Sequence, residues 1–333
     1  MKVLHAPRVI ANQSVILAEA LRKQRIEATS LQYRSLDRDR YSADINIDIR
    51  VRKWYQLLKP FFVRLRNFPR FLNFEIYHFH YGRTLIFGFL DLPILKLLGK
   101  KVVFEYHGSD IRNPFGFANS ISFTKKIGLL VKQASLKIVS RLFVDAEVVT
   151  TPDLLEYAPS ANFIPVAVED HWLSSQFRIP GKNGKILIVH APTDRAVKGS
   201  DYVVSAVNQL QKEGLPVELD LVEGVLPEEV RKRFEKADIA VDQLLIGWYG
   251  LFAVEMMALG KPVVCYIRDD LKKYASDLPI VPANTETLVE VLRKLVQDVK
   301  MRKTLGRRGL QFVREFHGSD VVAMRFIELY KKL

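Results

Sequence analysis

The sequence predicts an α/β protein of two domains, each built on a parallel sheet. Three observations predict it. Short apolar, β-branched runs alternate with helical stretches along the chain, the pattern that parallel strands joined by crossover helices impose. The 333 residues are enough for two ordinary α/β units with a sizeable core. Around 169–182 the alternation breaks, Pro180, Gly181 and Gly184 follow, and Lys185-Ile-Leu-Ile-Val-His190 then opens a second sheet.

Taken in order, Val3-Leu-His5 reads as a short strand, and Ser14–Gln24 as a helix capped by Ser14. Ile76-Tyr-His-Phe-His80 is a strand running into Tyr81-Gly82, and Val102–Tyr106 is another, ending at His107-Gly-Ser-Asp110. In open α/β sheets ligands gather at such carboxyl ends. His78 and His80 share a strand face and resemble a metal pair, but no third ligand stands at a useful spacing, so they read as a strand lining a cleft. Asp37-Arg-Asp39 lies in a polar loop with no strand before it and is not a metal motif. In the second half, Arg195 and Lys198-Gly199-Ser200 lead into a helix beginning near Asp201. Val217–Val222 and Ile239–Val241 are strands, Pro279–Pro282 is followed by a helix through Gln297, and Arg307–Leu333 forms a terminal helix.

Charge is uneven. Of the net +13, residues 1–168 hold 25 Lys+Arg against 14 Asp+Glu, a net of +11, and residues 169–333 hold 25 against 23, a net of +2. Arg50–Phe74 carries seven cations, no acid and seven aromatics, with Trp54, Leu57, Leu58, Phe61, Phe62 and Leu65 at helical spacing. Ile111–Val144 is a second acid-free stretch. Basic amphipathic helices with aromatics suit an anionic membrane surface. An apolar face that simply packs into the core is the equal alternative for either segment. The most apolar run, Leu85–Leu98, is too short for a bilayer and contains Asp91, Pro93 and Lys96. With no signal-peptide core and a single cysteine, Cys265, in a predicted strand, the expected location is a reducing, cytoplasmic one, peripheral on the inner face of the membrane.

The densest chemistry lies between the strands Ile239–Gln243 and Pro262–Tyr266, where Gly247-Trp-Tyr-Gly-Leu-Phe-Ala-Val-Glu255 leads into a helix over about Phe252–Leu259 that Gly260 and Pro262 end. Two glycines let the backbone approach a ligand, and a helix start suits a phosphate. Glu255, placed in the first turn, fits a ribose diol. A capping role competes with that reading, but Gly247–Val254 holds no Ser, Thr, Asp or Asn to complete a capping box.

Gly250-Leu251, Glu255 and Ala258-Leu-Gly-Lys-Pro-Val-Val264 resemble the donor-binding segment of the GT-B glycosyltransferases, especially the retaining enzymes of glycosyltransferase family 4. In that family the segment usually opens with a Glu and carries a second eight positions later. The second maps onto Glu255 and the first onto Gly247, so the acid that helps hold the transferred sugar is missing here. The resemblance implies two facing Rossmann-like domains. Residues 1–168 would bind the acceptor and 169–317 the nucleotide-sugar, with a C-terminal helix over about 318–333 crossing back to the first domain. It implies that His107 faces the donor sugar, and that Arg195 with Lys198-Gly199 forms the diphosphate-binding pair. His190, Gly247, Trp248, Tyr249, Gly250 and Leu251 join Glu255 as donor-binding candidates, with Asn12 and Gln13 in the loop where the family has glycines.

The expected function is metal-independent, retaining glycosyl transfer from a nucleotide-sugar to a glycan or lipid-linked acceptor, with no cofactor, no metal and no nucleic-acid partner. An anionic membrane surface would be met through Arg50–Phe74. Two alternatives stand beside it: a nonhydrolysing nucleotide-sugar epimerase of the same fold, and a non-catalytic basic protein binding membrane or nucleic acid.

Overall fold

The computed structural model describes residues 1–34, 42–51, 56–117, 122–173, 184–225 and 227–333. Asp37–Asp39, Arg52–Tyr55, Pro180 and Gly181 lie outside the described residues. The described chain divides into two units. One comprises Met1–Pro114, Phe123–Ala167 and Ser319–Leu333, and the other Phe115–Ser122 and Val168–Gly318.

The first unit contains β1 (Lys2–Ala6), α1 (Gln13–Lys23), β2 (Glu27–Arg34), β3 (Ile45–Asp48), α2 (Lys59–Asn67), β4 (Ile76–His80), α3 (Asp91–Leu97) and β5 (Lys101–Tyr106). After the short α4 (Pro114–Phe117), most of which belongs to the second unit, α5 (Phe123–Phe143), β6 (Ala146–Val149) and β7 (Asn162–Phe163) follow in the first. Its strands form one parallel sheet in the order β3-β2-β1-β4-β5-β6-β7. The order reverses between β1 and β4, so the carboxyl ends of these two strands flank the crevice where ligands bind in such sheets. Alternate residues feed the two faces: Leu4, Tyr77, Phe79 and Phe104 join one core, and Val3, Ile76 and Val103 the other.

The second unit contains α6 (Asp170–Leu173), β8 (Ile186–His190), α7 (Arg195–Lys198), α8 (Ser200–Lys212), β9 (Val217–Leu221), α9 (Pro227–Lys236) and β10 (Ile239–Val241). It continues with α10 (Leu251–Ala258), β11 (Val263–Cys265), β12 (Ile280–Pro282), α11 (Leu288–Gln297) and α12 (Val299–Phe316). This sheet is also parallel, in the order β12-β11-β10-β8-β9, and reverses between β8 and β10. The last helix, α13 (Ser319–Lys331), returns to the first unit and packs on α1 through Val322, Ala323, Phe326 and Ile327.

Local readings are corrected in three places. Helix α1 starts at Gln13 behind Asn12, whose left-handed φ of 60° forms the cap, and Ser14 is buried inside the helix. The terminal stretch is two helices broken at His317-Gly318, where Val168 bridges to Gly318 and its amide donates to the His317 carbonyl at 2.9 Å. Helix α10 begins at Leu251, which puts Glu255 fifth in the helix and beyond its first turn.

Candidate functional site

In the second unit the residues singled out from sequence converge on the carboxyl ends of β8 and β10. His190, the last residue of β8, is buried. Its Nδ1 lies 2.7 Å from the Val241 carbonyl and its Nε2 2.8 Å from Ser200 Oγ. A carbonyl takes only a donated proton, so Nδ1 carries the hydrogen and Nε2 accepts from the serine. Burial pushes the imidazole down from its ordinary value, leaving a neutral brace between β8, β10 and the start of α8.

Asp194 caps α7, accepting from the amides of Ala196 and Val197 at 3.0 and 3.2 Å. That cap sets the two cations. Arg195 makes a bidentate pair with Glu223, at 2.8 and 2.5 Å, on the open side of the loop. Lys198 turns inward, its Nζ 2.5 Å from Asp242 Oδ1, and the other oxygen of Asp242 accepts the Gly250 amide at 2.7 Å. Asp242 is fully buried at the end of β10 and links the Lys198 ammonium to the start of α10. Like Asp194 and Glu223, it escaped sequence reasoning. Its signal is an acid directly after a buried strand at a point where the sheet order reverses.

Gly199 has the left-handed φ of 76° that ends α7, and a Cβ there would meet Leu244 Cβ at 3.3 Å. Gly250 sits in extended backbone, where a Cβ would stand 3.5 Å from both Asp242 Oδ2 and Lys198 Nζ. The amides of Leu251 and Phe252 that follow have no acceptor within the helix, as at any helix start. Trp248 and Tyr249 are buried and stack at 4.9 Å, and the tyrosine hydroxyl lies 2.9 Å from His317 Nε2. Their side chains fix the loop from inside, which leaves the backbone as their route to a ligand.

Gly247 has a φ of 94°, and a Cβ there would fall 2.5 Å from Arg268 Cγ. The place of the missing acid is thus covered by an arginine side chain that pairs with Asp270 at 2.7 Å. Glu255 is half-buried, and among the described residues its carboxyl has no hydrogen-bond or ion-pair partner. Burial pushes it up to about 8, and the nearby acids Glu169 and Asp242 add to the rise.

In the first unit, Gln13 is committed to structure, its amide exchanging two 2.8 Å hydrogen bonds with the backbone of Ala167. Asn12 holds the turn before α1. His107 follows β5, with its backbone amide on the Asp110 carboxylate, and its ring joins His80 and Glu105 in a cluster that also takes in His5 and His78. Side chains of neighbouring strands, His5 on β1 and Glu105 on β5, thus lie beside His78 and His80, which spacing along the sequence did not show.

The face carrying Arg50–Phe74 divides. In α2, Phe61 and Val63 pack on the core, while Phe62 and Leu65, with Leu57 and Leu58 just before the helix, stay exposed, Leu58 at 67%. Arg64 is buried over the Tyr33 ring at 4.1 Å and donates to the carbonyls of Thr84 and Leu85, so it belongs to the interior. Arg66 and Arg70 are exposed. Among the described residues no helix is long and apolar enough to cross a membrane.

Compared by sequence, the chain matches no protein-family model and no curated protein. Compared by structure, it is similar to sucrose-phosphate synthase from Thermosynechococcus elongatus (TM-score 0.68, 16% identity, covering 100% of this chain and 99% of that one). It is similar also to an α-glucosyltransferase solved with UDP-glucose and DNA containing an abasic site (0.62, 10%, 99% and 98%). A Listeria monocytogenes protein assigned as a UDP-N-acetylglucosamine 2-epimerase is a third (0.59, 14%, 100% and 96%). The chain has the GT-B fold, two Rossmann-like domains with full-length coverage.

Proposed function

We propose that the protein is a glycosyltransferase that takes a sugar from a nucleoside-diphosphate donor held by the second unit. The observation that carries this reading is the Glu255 carboxyl, which has no partner among the described residues and stands near Asp242, the residue that holds Lys198 and the Gly250 amide at the start of α10. A ribose diol would satisfy the carboxyl. The diphosphate would lie against the first amides of α10, with the Lys198 ammonium keeping two of its three donors free of Asp242. Arg195, on the exposed side, would turn from Glu223 to the phosphate oxygens and stabilise charge on the departing diphosphate. No divalent ion is needed for that task. Retention of configuration is what the family resemblance implies. The similarity to proteins described with UDP-glucose supports the donor class.

The test is calorimetry with a panel of nucleoside-diphosphate sugars in excess EDTA, followed by product analysis with candidate acceptors. Micromolar binding that Glu255→Ala weakens supports the reading. Unchanged affinity in the folded variant removes it. An epimerase, the second reading because of the Listeria structure, would convert the donor with no acceptor present.

For the acceptor we propose a lipid-linked saccharide reached by docking on anionic membrane. Exposed apolar side chains on α2, α3 and α5 support it: Phe62 and Leu65, Leu97 at 87%, and Val131, Ile138 and Leu142, with Arg66, Arg70, Lys125, Lys137 and Arg141 exposed beside them. Flotation with anionic and neutral vesicles at low and high salt tests it. Wild type that ignores anionic vesicles at low salt would point to a soluble acceptor.

A further inference from the structure

The carboxyl edge of the first sheet collects four imidazoles and a carboxylate on one face. Register explains the gathering, since His5 stands opposite His78 across β1 and β4, His80 stands opposite Glu105 across β4 and β5, and residues two apart on a strand share a face. Glu105, His78, His80 and His5 are buried to 2% exposure or less. Glu105 meets three of these imidazoles, His78, His80 and His107, and among the described residues no Lys or Arg lies at ion-pair distance from it. Its Oε2 is 2.9 Å from His78 Nε2, yet neither atom has an aligned hydrogen bond. A buried carboxylate is costly unless it is protonated, paired or bound to a metal ion.

The distances match one. His80 Nδ1 is 3.2 Å from His107 Nε2 and 3.3 Å from Glu105 Oε2, while His107 Nε2 is 3.7 Å from Glu105 Oε1. Two donors each about 2.0–2.1 Å from a tetrahedral Zn²⁺ lie roughly 3.3 Å apart. We propose that His80 Nδ1, the Glu105 carboxylate and His107 Nε2 bind a divalent transition-metal ion, with Zn²⁺ the best match to two imidazoles and a carboxylate, and leave a fourth position open. His5 and His78 back this set. His5 Nδ1 lies 3.1 Å from His80 Nε2, which fixes the His80 ring with Nδ1 toward the metal, and His78 Nε2 stands 2.9 Å from Glu105 Oε2 on the far side while its own Nδ1 lies 2.6 Å from the Tyr330 hydroxyl on α13.

The test reads metal and not turnover, so it stands or falls apart from the transferase reading. The full chain, stripped with chelator and titrated with Co²⁺, is expected to take up one equivalent with the intense visible absorption of a tetrahedral site, and Zn²⁺ is expected to displace it. His107→Ala, at the rim of the cluster, and the near-isosteric Glu105→Gln should each weaken uptake by about a hundredfold, and His5→Phe by roughly ten- to a hundredfold through loss of the backing contact. Wild type that binds no Co²⁺ below millimolar concentration, or folded variants that bind it as wild type does, would overturn the site. Should the variants fail to fold, X-ray absorption on the Zn²⁺-loaded wild type decides: imidazole scattering from two ligands supports the site, and an all-oxygen shell refutes it.

Discussion

Helix α11 of the second unit and helix α2 of the first carry similar apolar content at helical spacing and dispose of it in opposite ways. In α11 a single stripe, Leu288, Leu292, Leu295 and Val296, is buried, and Glu290, Arg293 and Lys294 lie away from it. In α2 the residues that pack inward are Phe61, Val63 and the stem of Arg64, and a second apolar set, Leu58, Phe62 and Leu65, faces out among cations. Helix α5 repeats the α2 solution: of its 21 residues Gln133, Leu136 and Ser140 are the buried ones. Amphipathic spacing reports that a helix has an apolar face; it does not report where that face goes. An acid-free flank is the better indicator, because a core-facing helix has no reason to exclude Asp and Glu from its wet side.

The largest expected effect breaks the comparison directly. Leu292→Glu places an unpaired charge in the second unit's core and should cost about 4 kcal/mol or more, whereas Phe62→Glu on the outer face of α2 should stay within about 0.5 kcal/mol. Denaturant melts of the two variants check it, and an equal loss would mean that the α2 face is covered. Next comes Arg64→Glu, which removes a buried cation from two carbonyls and two rings and should destabilise by about 3–5 kcal/mol. In the donor site, Glu255→Ala should weaken nucleotide-sugar binding by about 1.5–3 kcal/mol, or one to two decades, and Arg195→Ala by less because its side chain starts half in water.

A pH effect sharpens the same site. Folding raises the Glu255 carboxyl from its ordinary 4.5 to about 8, so the unfolded chain loses this proton first as pH rises. The contribution of the group to stability is complete below about pH 4.5 and declines up to about pH 8, and Glu255→Gln should flatten that decline by about 1–2 kcal/mol. Melts across this window measure it. The smallest effect belongs to Arg66→Glu and Arg70→Glu, which should leave stability unchanged and weaken vesicle binding by about 1 kcal/mol each. Retained flotation in the double variant would remove these cations from the docking face.

Much of the second unit was legible because its chemistry is local: Arg195, Lys198 and Gly199 fall within five residues, and the loop from Gly247 leads straight into α10. The first unit was harder to read. Strand β2, Glu-Ala-Thr-Ser-Leu-Gln-Tyr-Arg, buries Ser30 and Gln32 beside Leu31 and Tyr33, so hydrophobic periodicity passes over it. The histidine cluster is built from residues 5, 78, 80, 105 and 107, and nothing in their spacing shows that β1, β4 and β5 lie side by side. That adjacency is a property of sheet order, which sequence pattern alone does not carry. Asp242 was hidden for the same reason, since its importance comes from standing at the β8/β10 reversal.

Gly247 constrains the future of this sequence as well as its present. An acid at 247 would need a Cβ where Arg268 Cγ now stands 2.5 Å away, on a backbone at φ 94° that side chains rarely adopt. Trimming Arg268 alone would free the space but forfeit the Asp270 pair and leave the strained backbone as it is. An acid at this place in the loop therefore calls for a joint change at 247 and 268 together with a turned peptide, and Gly247 and Arg268 are coupled positions.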